Sequence, residues 1–383
     1  MRYCRLLDMY GGKVAQRVRR QHTVSRFYLK GFADAAGRIR RLALPGEPAV
    51  VLSTGDASVI KDFYTITLPD GSKSDFFEKL FGDVEGAAAE ALRRILSGIW
   101  PIGGEHREAL AEWIALQHLR SEDVRSGQGH FNAEVIRLLV GVSGKEALRV
   151  LIQKAESRVV SDEELDWEWR DITKPGGPDL VADINQHLRL LVDLLPGTTA
   201  YLHDCHWTLF QFKRRSIITS DHPVSLIESL DHPEWQGVGI ATAEIFLIPL
   251  SRRVAMTIQP RRRLSKFLAE EAKVPDFIQQ GTTSIARTIN QETAVRARRY
   301  VYHHPDESPL GGLYLPQPDT RGRPWMSNAT GLIREEGLFS GMTEQQLHAL
   351  REARPSGQKE RSMSIDDLPW PIPGRRARYE GGP

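Results

Sequence analysis

Apolar and polar positions change their spacing twice along this chain of 383 residues. Near the N-terminus, short runs with apolar residues at every second position predict β-strands over residues 38–44, 50–52 and 63–68. From Asp75 the apolar residues recur instead at intervals of three and four, and Glu78 follows Asp75 at the spacing of a capping box. We therefore predict a long helix over residues 75–96.

Helical spacing continues through the middle of the chain and gives way to alternation after Ala200. Amphipathic helices are predicted over residues 106–124, 133–139, 145–157 and 179–195. Strands are predicted over residues 201–212, 216–219, 244–250 and 253–259, and closing helices over 268–280 and 283–299. This order predicts an α+β fold, in which a helical middle packs against a mainly antiparallel sheet.

The predicted elements form one domain, an extension and a tail. Residues 1–310 are expected to fold as a single domain, with a basic N-terminal segment, a helical middle over 75–196 and a sheet with closing helices over 200–303. Residues 311–354 are expected to form an extension with one helix. Since Pro, Gly, Ser and Arg are frequent over residues 355–383, we expect a flexible tail there.

Composition favours a cytoplasmic protein. No apolar run approaches the roughly 20 residues that span a bilayer, and the first residues lack the apolar core of a secretory signal. Cys4 and Cys205 are the two cysteines, which fits a reducing compartment. We expect no membrane partner, and the sequence leaves the oligomeric state open.

Positive charge is concentrated at the N-terminus. Residues 1–41 hold 11 Lys and Arg against 2 Asp and Glu, whereas the rest of the chain holds 40 against 47. Such a segment can bind a phosphate backbone, and the candidate contacts are Arg19, Arg20, Arg26 and Lys30. A solvated segment, or one that docks on the acidic remainder of the chain, explains the same pattern.

The sequence Ser220-Asp221-His222-Pro223 follows a predicted strand and is the first candidate site. Pro223 cannot continue a ladder of hydrogen bonds, so the strand is expected to leave the sheet and present Asp221 at its edge. A carboxylate there can orient water or stabilise a developing cation, and Ser220 and His222 can contact the substrate. Alternatively, Asp221 only caps a turn.

A second candidate lies in the basic segment, where apolar residues anchor the polar side chains of His22, Arg26 and Tyr28, and Tyr28 is a candidate substrate contact. His22 can act as an acid, a base or a phosphate donor, although a lone histidine is more often structural. Gln117 and Arg120 share a helix face and can reach a ligand together, but Arg120 also suits an ion pair.

Trp207 suits the core better than base stacking. His203 and His206 point to opposite faces of a predicted strand, so they do not suit a shared metal ion. The sequence also lacks a Gly-rich phosphate loop and a nucleophile elbow. We therefore predict neither a metal nor a cofactor.

Several of these motifs occur in an order typical of one family: residues 22–32, Gln117 to Arg120, Trp207, the Ser220 to Pro223 loop, residues 246–251, and Asn290 leading to Arg298 and Tyr300. On these residues the chain resembles, over residues 20–303, the bacterial domain-of-unknown-function family 4238. His222 departs from the Asn expected between Asp and Pro. The resemblance implies that His22, Asp221 and Asn290 converge on one pocket as the catalytic residues, and it implies a link to anti-phage defence.

Three functions fit these observations. The first is a metal-independent DNA glycosylase that hydrolyses the N-glycosidic bond of a modified base, with modified phage DNA as a candidate substrate, since one carboxylate and a polar pocket suffice for that reaction. The second is a non-catalytic sensor that binds nucleic acid or a small ligand. The third is a metal-dependent nuclease whose ligands the sequence does not reveal.

Overall fold

The computed structural model describes residues 17–68, 70–230, 232, 237–261, 275–318, 364–377 and 379. Its helices alternate with antiparallel sheets, which confirms the predicted α+β fold. The helices are α1 (Arg26–Leu29), α2 (Phe76–Leu96), α3 (Gly104–Leu119), α4 (Glu122–Ser143), α5 (Lys145–Glu156), α6 (Asp162–Thr173), α7 (Ile184–Asp204) and α8 (Thr283–Arg296). No helix within these ranges is long and apolar enough to cross a membrane.

Within the described residues the strands are short and belong to four sheets. They are β1 (Arg20–His22), β2 (Arg38–Ala43), β3 (Ala49–Ser53), β4 (Val59–Lys61), β5 (Ile66–Thr67), β6 (Lys73–Ser74), β7 (His206–Gln211), β8 (Thr219–Ser220), β9 (Ser225–Ile227), β10 (Ile245–Ser251), β11 (Val254–Gln259), β12 (Phe277–Gln280) and β13 (Tyr300–His303). The larger sheets have the orders β12-β7-β11-β10-β9 and β3-β2-β13-β8, and β1-β4 and β5-β6 form pairs. All neighbours are antiparallel except β12 and β7.

The chain folds into two compact units. The first takes its described residues from 17–125, 184–232 and 238–318, and it contains all four sheets. Helix α3 lies in its core, packed against α2 and α7, and Trp113 is fully buried there. Trp207 on β7 is also fully buried and donates to the carbonyl of Leu202, which confirms its predicted core position.

The second unit takes its described residues from 126–183, 237 and 364–379. Its apolar core combines α6 with the C-terminal segment, since Trp169 and Ile172 cluster with Leu368 and Ile372. Arg375 is buried in the same unit and pairs with Glu168 and Asp171. Residues 364–377 lie in the stretch predicted as a flexible tail, and the apolar side chains of Ile365, Leu368 and Ile372 are buried there.

Helix boundaries differ from the predictions where tertiary contacts outweigh local signals. The predicted helix over residues 179–195 begins at Ile184 and continues through Pro196 to Asp204, so strand β7 starts at His206 rather than near 201. Leu191, Leu195 and Leu202 share its buried face. Their burial offsets the roughly 3 kcal/mol that a proline costs inside a helix.

The predicted capping box at the start of α2 is wrong. The Asp75 carboxylate makes no cap; it accepts the backbone N–H of Val18 at 2.8 Å and pairs with Lys79 at 3.1 Å. Conversely, helix α6 was not predicted although Ser161 caps it by accepting the N–H of Glu164. The spacing of Ser161 and Glu164 is a start signal that the sequence does carry.

Two other predicted helices are also corrected. The helix predicted over residues 106–124 is α3, which ends at Leu119. A separate helix, α4, then begins at Glu122 and includes the helix predicted over residues 133–139. Residues 277–280, predicted as helical, form the exposed edge strand β12 because they pair with β7. Residues 275 and 276 are not helical either, whereas residues 268–274 and the helix predicted within the C-terminal extension lie outside the described residues.

Candidate active site

The loop after β8 is fixed by the carboxylate of Asp221. Its Oδ1 accepts the backbone N–H of Arg298 at 2.9 Å, and its Oδ2 accepts those of Arg299 and Tyr300 at 2.8 and 3.0 Å. The N–H of Asp221 donates in turn to the carbonyl of Tyr300. These bonds hold the backbone of residues 298–300 outside the helix, which explains why α8 ends at Arg296 rather than at 299.

Ser220 closes the same loop from the other side. Its hydroxyl donates to the carbonyl of His222 at 2.9 Å and lies 3.1 Å from the N–H of that residue. Ser220 is fully buried and pairs with Val301 across the β8 and β13 ladder. The predicted exit of the chain at Pro223 therefore occurs, and Ser220 shapes the loop from beneath.

The first turn of α4 brings two further carboxylates to this loop. Glu122 pairs with Arg298 at 3.3 Å and also with Arg299, and Asp123 pairs with Arg298 at 2.7 Å. Acidic side chains are favourable at this position because the N-terminus of a helix carries partial positive charge. Together the two arginines tie α4 to the segment that Asp221 holds.

Asp123 also holds the imidazole of His222. The distance from its Oδ2 to His222 Nδ1 is 3.2 Å, and only 12% of the His222 side chain is exposed. The His118 ring meets that of His222 edge-on, with 5.9 Å between centroids. Burial lowers the pKa of His118 to about 3, so His118 is a neutral neighbour. A carboxylate at Nδ1 orients an imidazole and makes Nε2 its basic nitrogen.

Asp221 and His222 open onto a cavity of about 250 Å³. This is close to the roughly 300 Å³ lower end of small-ligand pockets, so a single ring system is a suitable occupant. Arg41 lies over the Tyr300 ring at 4.6 Å. The cavity is lined by Thr23, Arg41, Ala57, Ser58, Val59, Ile60, Glu122, Asp123, Asp221, His222, Arg298, Arg299, Tyr300 and Tyr302.

Burial raises the pKa of Asp221 to about 6. The three backbone donors oppose this shift because they stabilise the charged form, and the nearby charge of Asp123 adds to it. A carboxyl with such a pKa exchanges protons close to neutral pH, which most aspartates do not. Asp221 and His222 thus place an acid–base pair at one wall of the cavity.

His22 and Asn290 do not line this cavity, so the three predicted catalytic residues do not share it. His22 is half-buried, its Nε2 lies 3.3 Å from the carbonyl of Gly55, and burial lowers its pKa. Asn290 is fully buried: its Oδ1 accepts the N–H of Ile218 at 3.0 Å and its Nδ2 donates to the carbonyl of Ser216 at 2.9 Å. Its amide fixes the strand that leads to Asp221.

Gln117 and Arg120 are buried in a polar network behind the cavity. Arg120 pairs with Glu85 at 2.9 Å and donates to the Oε1 of Gln117 and the hydroxyl of Ser25, both at 2.8 Å. Gln117 Nε2 donates to the carbonyl of Thr23, a cavity-lining residue, at 2.7 Å. Both side chains therefore support one wall of the cavity without facing it.

Tyr28 is likewise buried, and its hydroxyl lies 2.6 Å from that of Thr219. Among the predicted substrate-binding residues, only His222 lines the cavity; Tyr28, Gln117, Arg120 and Ser220 do not. Their side chains are used by the protein itself, as their hydrogen bonds show.

Two of the four candidate backbone contacts in the N-terminal segment are paired with carboxylates. Arg19 pairs with Asp62 at 3.0 Å, and Arg20 pairs with Asp56. Arg26 and Lys30 are exposed, and neither forms an ion pair with a described residue. For Arg19 and Arg20, a segment that docks on acidic residues of the chain therefore describes the structure better than an unpaired basic segment does.

Sequence reasoning missed Glu122, Asp123 and Arg299. Glu122 and Asp123 lie within the helix predicted over residues 106–124, where acidic side chains are common, and a lone Arg299 carries no local signal of a site. Among the described residues, no group of three or more His, Cys, Asp or Glu side chains is placed to hold a metal ion.

Comparison with known proteins gives one match. The family described as "Protein of unknown function (DUF4238)" matches residues 20–307, more than half of the chain. No curated protein and no solved structure matches the chain.

Proposed function

The chain belongs to the DUF4238 family of proteins of unknown function, and from that premise we propose that it is a hydrolase acting on nucleic acid, which releases a base at the cavity beside Asp221. One observation carries the proposal. Asp221, with a pKa of about 6, and the His222 imidazole held by Asp123 line one cavity together with Tyr300.

The geometry suits hydrolysis of an N-glycosidic bond. His222 Nε2 accepts a proton from the attacking water, whose oxygen bonds to the sugar carbon, and the leaving base takes up a proton from the Asp221 carboxyl. The ring of Tyr300 and the planar guanidinium of Arg41 offer surfaces on which an extruded base can stack. The cavity volume of about 250 Å³ suits one base rather than a duplex.

A non-catalytic binding protein is the second candidate, and a specific observation favours it. Each carboxylate oxygen of Asp221 already accepts at least one backbone N–H, which is the arrangement of a loop anchor. In that case the cavity holds a ligand and no bond is cleaved. A metal-dependent nuclease gains no support from the part of the chain that the structure describes.

The test is the formation of abasic sites in DNA. DNA from phages with modified bases and unmodified DNA are each incubated with the protein and then heated in alkali, which breaks strands where a base is missing. We expect breaks in the modified DNA with the wild type, and a strong decrease with Asp123→Asn and with His222→Asn.

The second substitution introduces the residue expected at this position from the family resemblance, so it removes the imidazole with little change of shape. Binding of the same DNA without strand breaks would favour the non-catalytic protein. Breaks that EDTA abolishes would favour a metal-dependent nuclease. Equal breakage by wild type and His222→Asn would contradict the role of the imidazole.

A further inference from the structure

A cationic groove lies at the turns of the five-stranded sheet. The turn after β7 carries Lys213, Arg214 and Arg215, and the turn between β10 and β11 carries Arg252 and Arg253. Backbone hydrogen bonds join the two turns, from Phe212 N–H to the carbonyl of Arg253 at 2.8 Å and from Ile217 N–H to that of Arg252 at 3.0 Å. The sheet therefore fixes the five cations side by side.

Two cavities, of about 500 and 580 Å³, open between these turns and the start of α8 and share Arg214, Arg215 and Thr283. We call this surface the cationic groove and define it by six lining residues, which are Lys213, Arg214, Arg215, Arg253, Thr283 and Ser284. Its size suits an extended chain better than a single small ion.

Positive charge in the groove exceeds the negative charge that compensates it. Glu307 is the one carboxylate among the residues that line the two cavities, and it already pairs with Arg252 at 3.0 Å and Arg253 at 2.6 Å. Lys213 and Arg214 are exposed and pair with no described carboxylate. Such a surplus attracts polyanions.

Two donors in the groove also have no acceptor among the described residues. Arg215 Nε and Arg253 Nη1 are buried, and neither makes a hydrogen bond. The Nη2 of Arg215 is fixed by the carbonyls of Pro309 and Gly311 at 2.8 and 3.0 Å. These two atoms are inaccessible to a ligand in the groove, whereas the exposed guanidinium of Arg214 is open to phosphate oxygens, which arginine binds well.

The groove differs in this from four paired arginines of the N-terminal segment. There, Arg17 and Arg19 share Asp62, Arg20 pairs with Asp56, and Arg38 pairs with Asp34. Those carboxylates reduce the field that a polyanion would meet, whereas the groove retains most of its charge.

We propose that the cationic groove binds the phosphate backbone of the nucleic acid whose base enters the cavity at Asp221. The choice of nucleic acid as the polyanion rests on the proposed function. One segment connects the two places: the six steps from Arg215 to Asp221 span at most about 22 Å. At about 3.4 Å per nucleotide of one strand, that distance corresponds to about six nucleotides.

Salt-dependent DNA binding tests the groove. Fluorescence anisotropy of labelled 20-nucleotide single-stranded and duplex DNA is measured with the wild type and with the double variant Lys213→Gln, Arg214→Gln. Both residues are exposed, so the substitutions leave the fold intact. The matched control is Arg19→Gln, Arg20→Gln, which removes the same charge from the compensated segment.

We expect the groove variant to lower the slope of log affinity against log salt for duplex DNA by about 2, since each lost phosphate contact lowers it by about 0.9. The control should change it by less than half as much. Equal slopes for both variants, or equal binding of polyglutamate and DNA by the wild type, would overturn the proposal.

The outcome is separable from that of the proposed function. If the groove variant loses DNA affinity but no variant or wild type releases a base, the groove stands and the hydrolase is refuted. If base release is found while the slope is unchanged, the hydrolase stands and the groove is refuted.

Discussion

Asp221→Asn should remove the contribution of this carboxyl to the pH dependence of the free energy of unfolding. Burial raises the pKa of Asp221 from 3.8 to about 6 in the folded protein. The folded state then binds this proton more tightly than the unfolded state does, so the group contributes stability below about pH 4. That contribution is lost as pH rises through 6.

The magnitude follows from the shift. The full shift of about two pKa units corresponds to about 3 kcal/mol, and the wild type should lose about 2.4 kcal/mol of it relative to the variant between pH 4 and pH 7. Asparagine does not titrate in this range. Its Nδ2 donor replaces a carboxylate oxygen that accepts a backbone N–H, so two donors face each other in the variant. This mismatch costs about 1–3 kcal/mol at every pH and therefore does not affect the slope.

Urea denaturation of both proteins at pH 4, 5, 6 and 7 measures the difference in unfolding free energy. Asp70→Asn is the control: Asp70 is exposed, and the Ser72 hydroxyl and N–H lower its pKa, so its difference should have the opposite sign. If the advantage of the wild type over Asp221→Asn grows as pH rises, the three backbone donors outweigh burial and our account of Asp221 is refuted.

Three further substitutions test the surroundings of the site. Asn290→Ala leaves two buried backbone groups without partners and should lower the free energy of unfolding by about 2–4 kcal/mol in urea denaturation. The control Gln291→Ala removes an exposed amide that also bonds one backbone N–H and one carbonyl, and it should cost less than about 1 kcal/mol. Equal costs would contradict the role of Asn290 in fixing the strand before Asp221. Arg120→Met should lower the free energy of unfolding by about 3 kcal/mol because Glu85 loses its cation, and the added substitution Glu85→Gln should restore part of that loss. A double-mutant cycle without coupling energy would contradict the ion pair between Arg120 and Glu85. His222→Asn should change stability by less than about 1 kcal/mol. It should reduce base release by at least about 100-fold, and a parallel loss of stability would indicate a structural role instead.

Periodicity predicted the fold class and most of the first unit because its elements are amphipathic. The buried face of α2 and the apolar run of β10 follow from residue spacing alone. Helix α7 and strand β12 could not be predicted in this way. Pro196 lies within α7 because three leucines bury their side chains on one face, and residues 277–280 are extended because β7 offers a free edge.

The candidate site was predictable only in part. Asp221 and His222 were predicted because a proline after a strand end is a local signal. Asp123 lies nearly 100 positions earlier in the sequence, and its pairing with His222 depends on a tertiary contact between the first turn of α4 and the loop after β8. Tyr28 and Asn290 carry the same polar groups as catalytic residues do, and sequence does not reveal that backbone and core contacts occupy them.

The most direct test of the central claim is mass spectrometric detection of free base after a single turnover on modified phage DNA. With protein in excess over DNA, we predict stoichiometric release of one modified base by the wild type and at least about 100-fold slower release by His222→Asn. Retention of every base in DNA that the wild type demonstrably binds would contradict the claim and leave a binding protein.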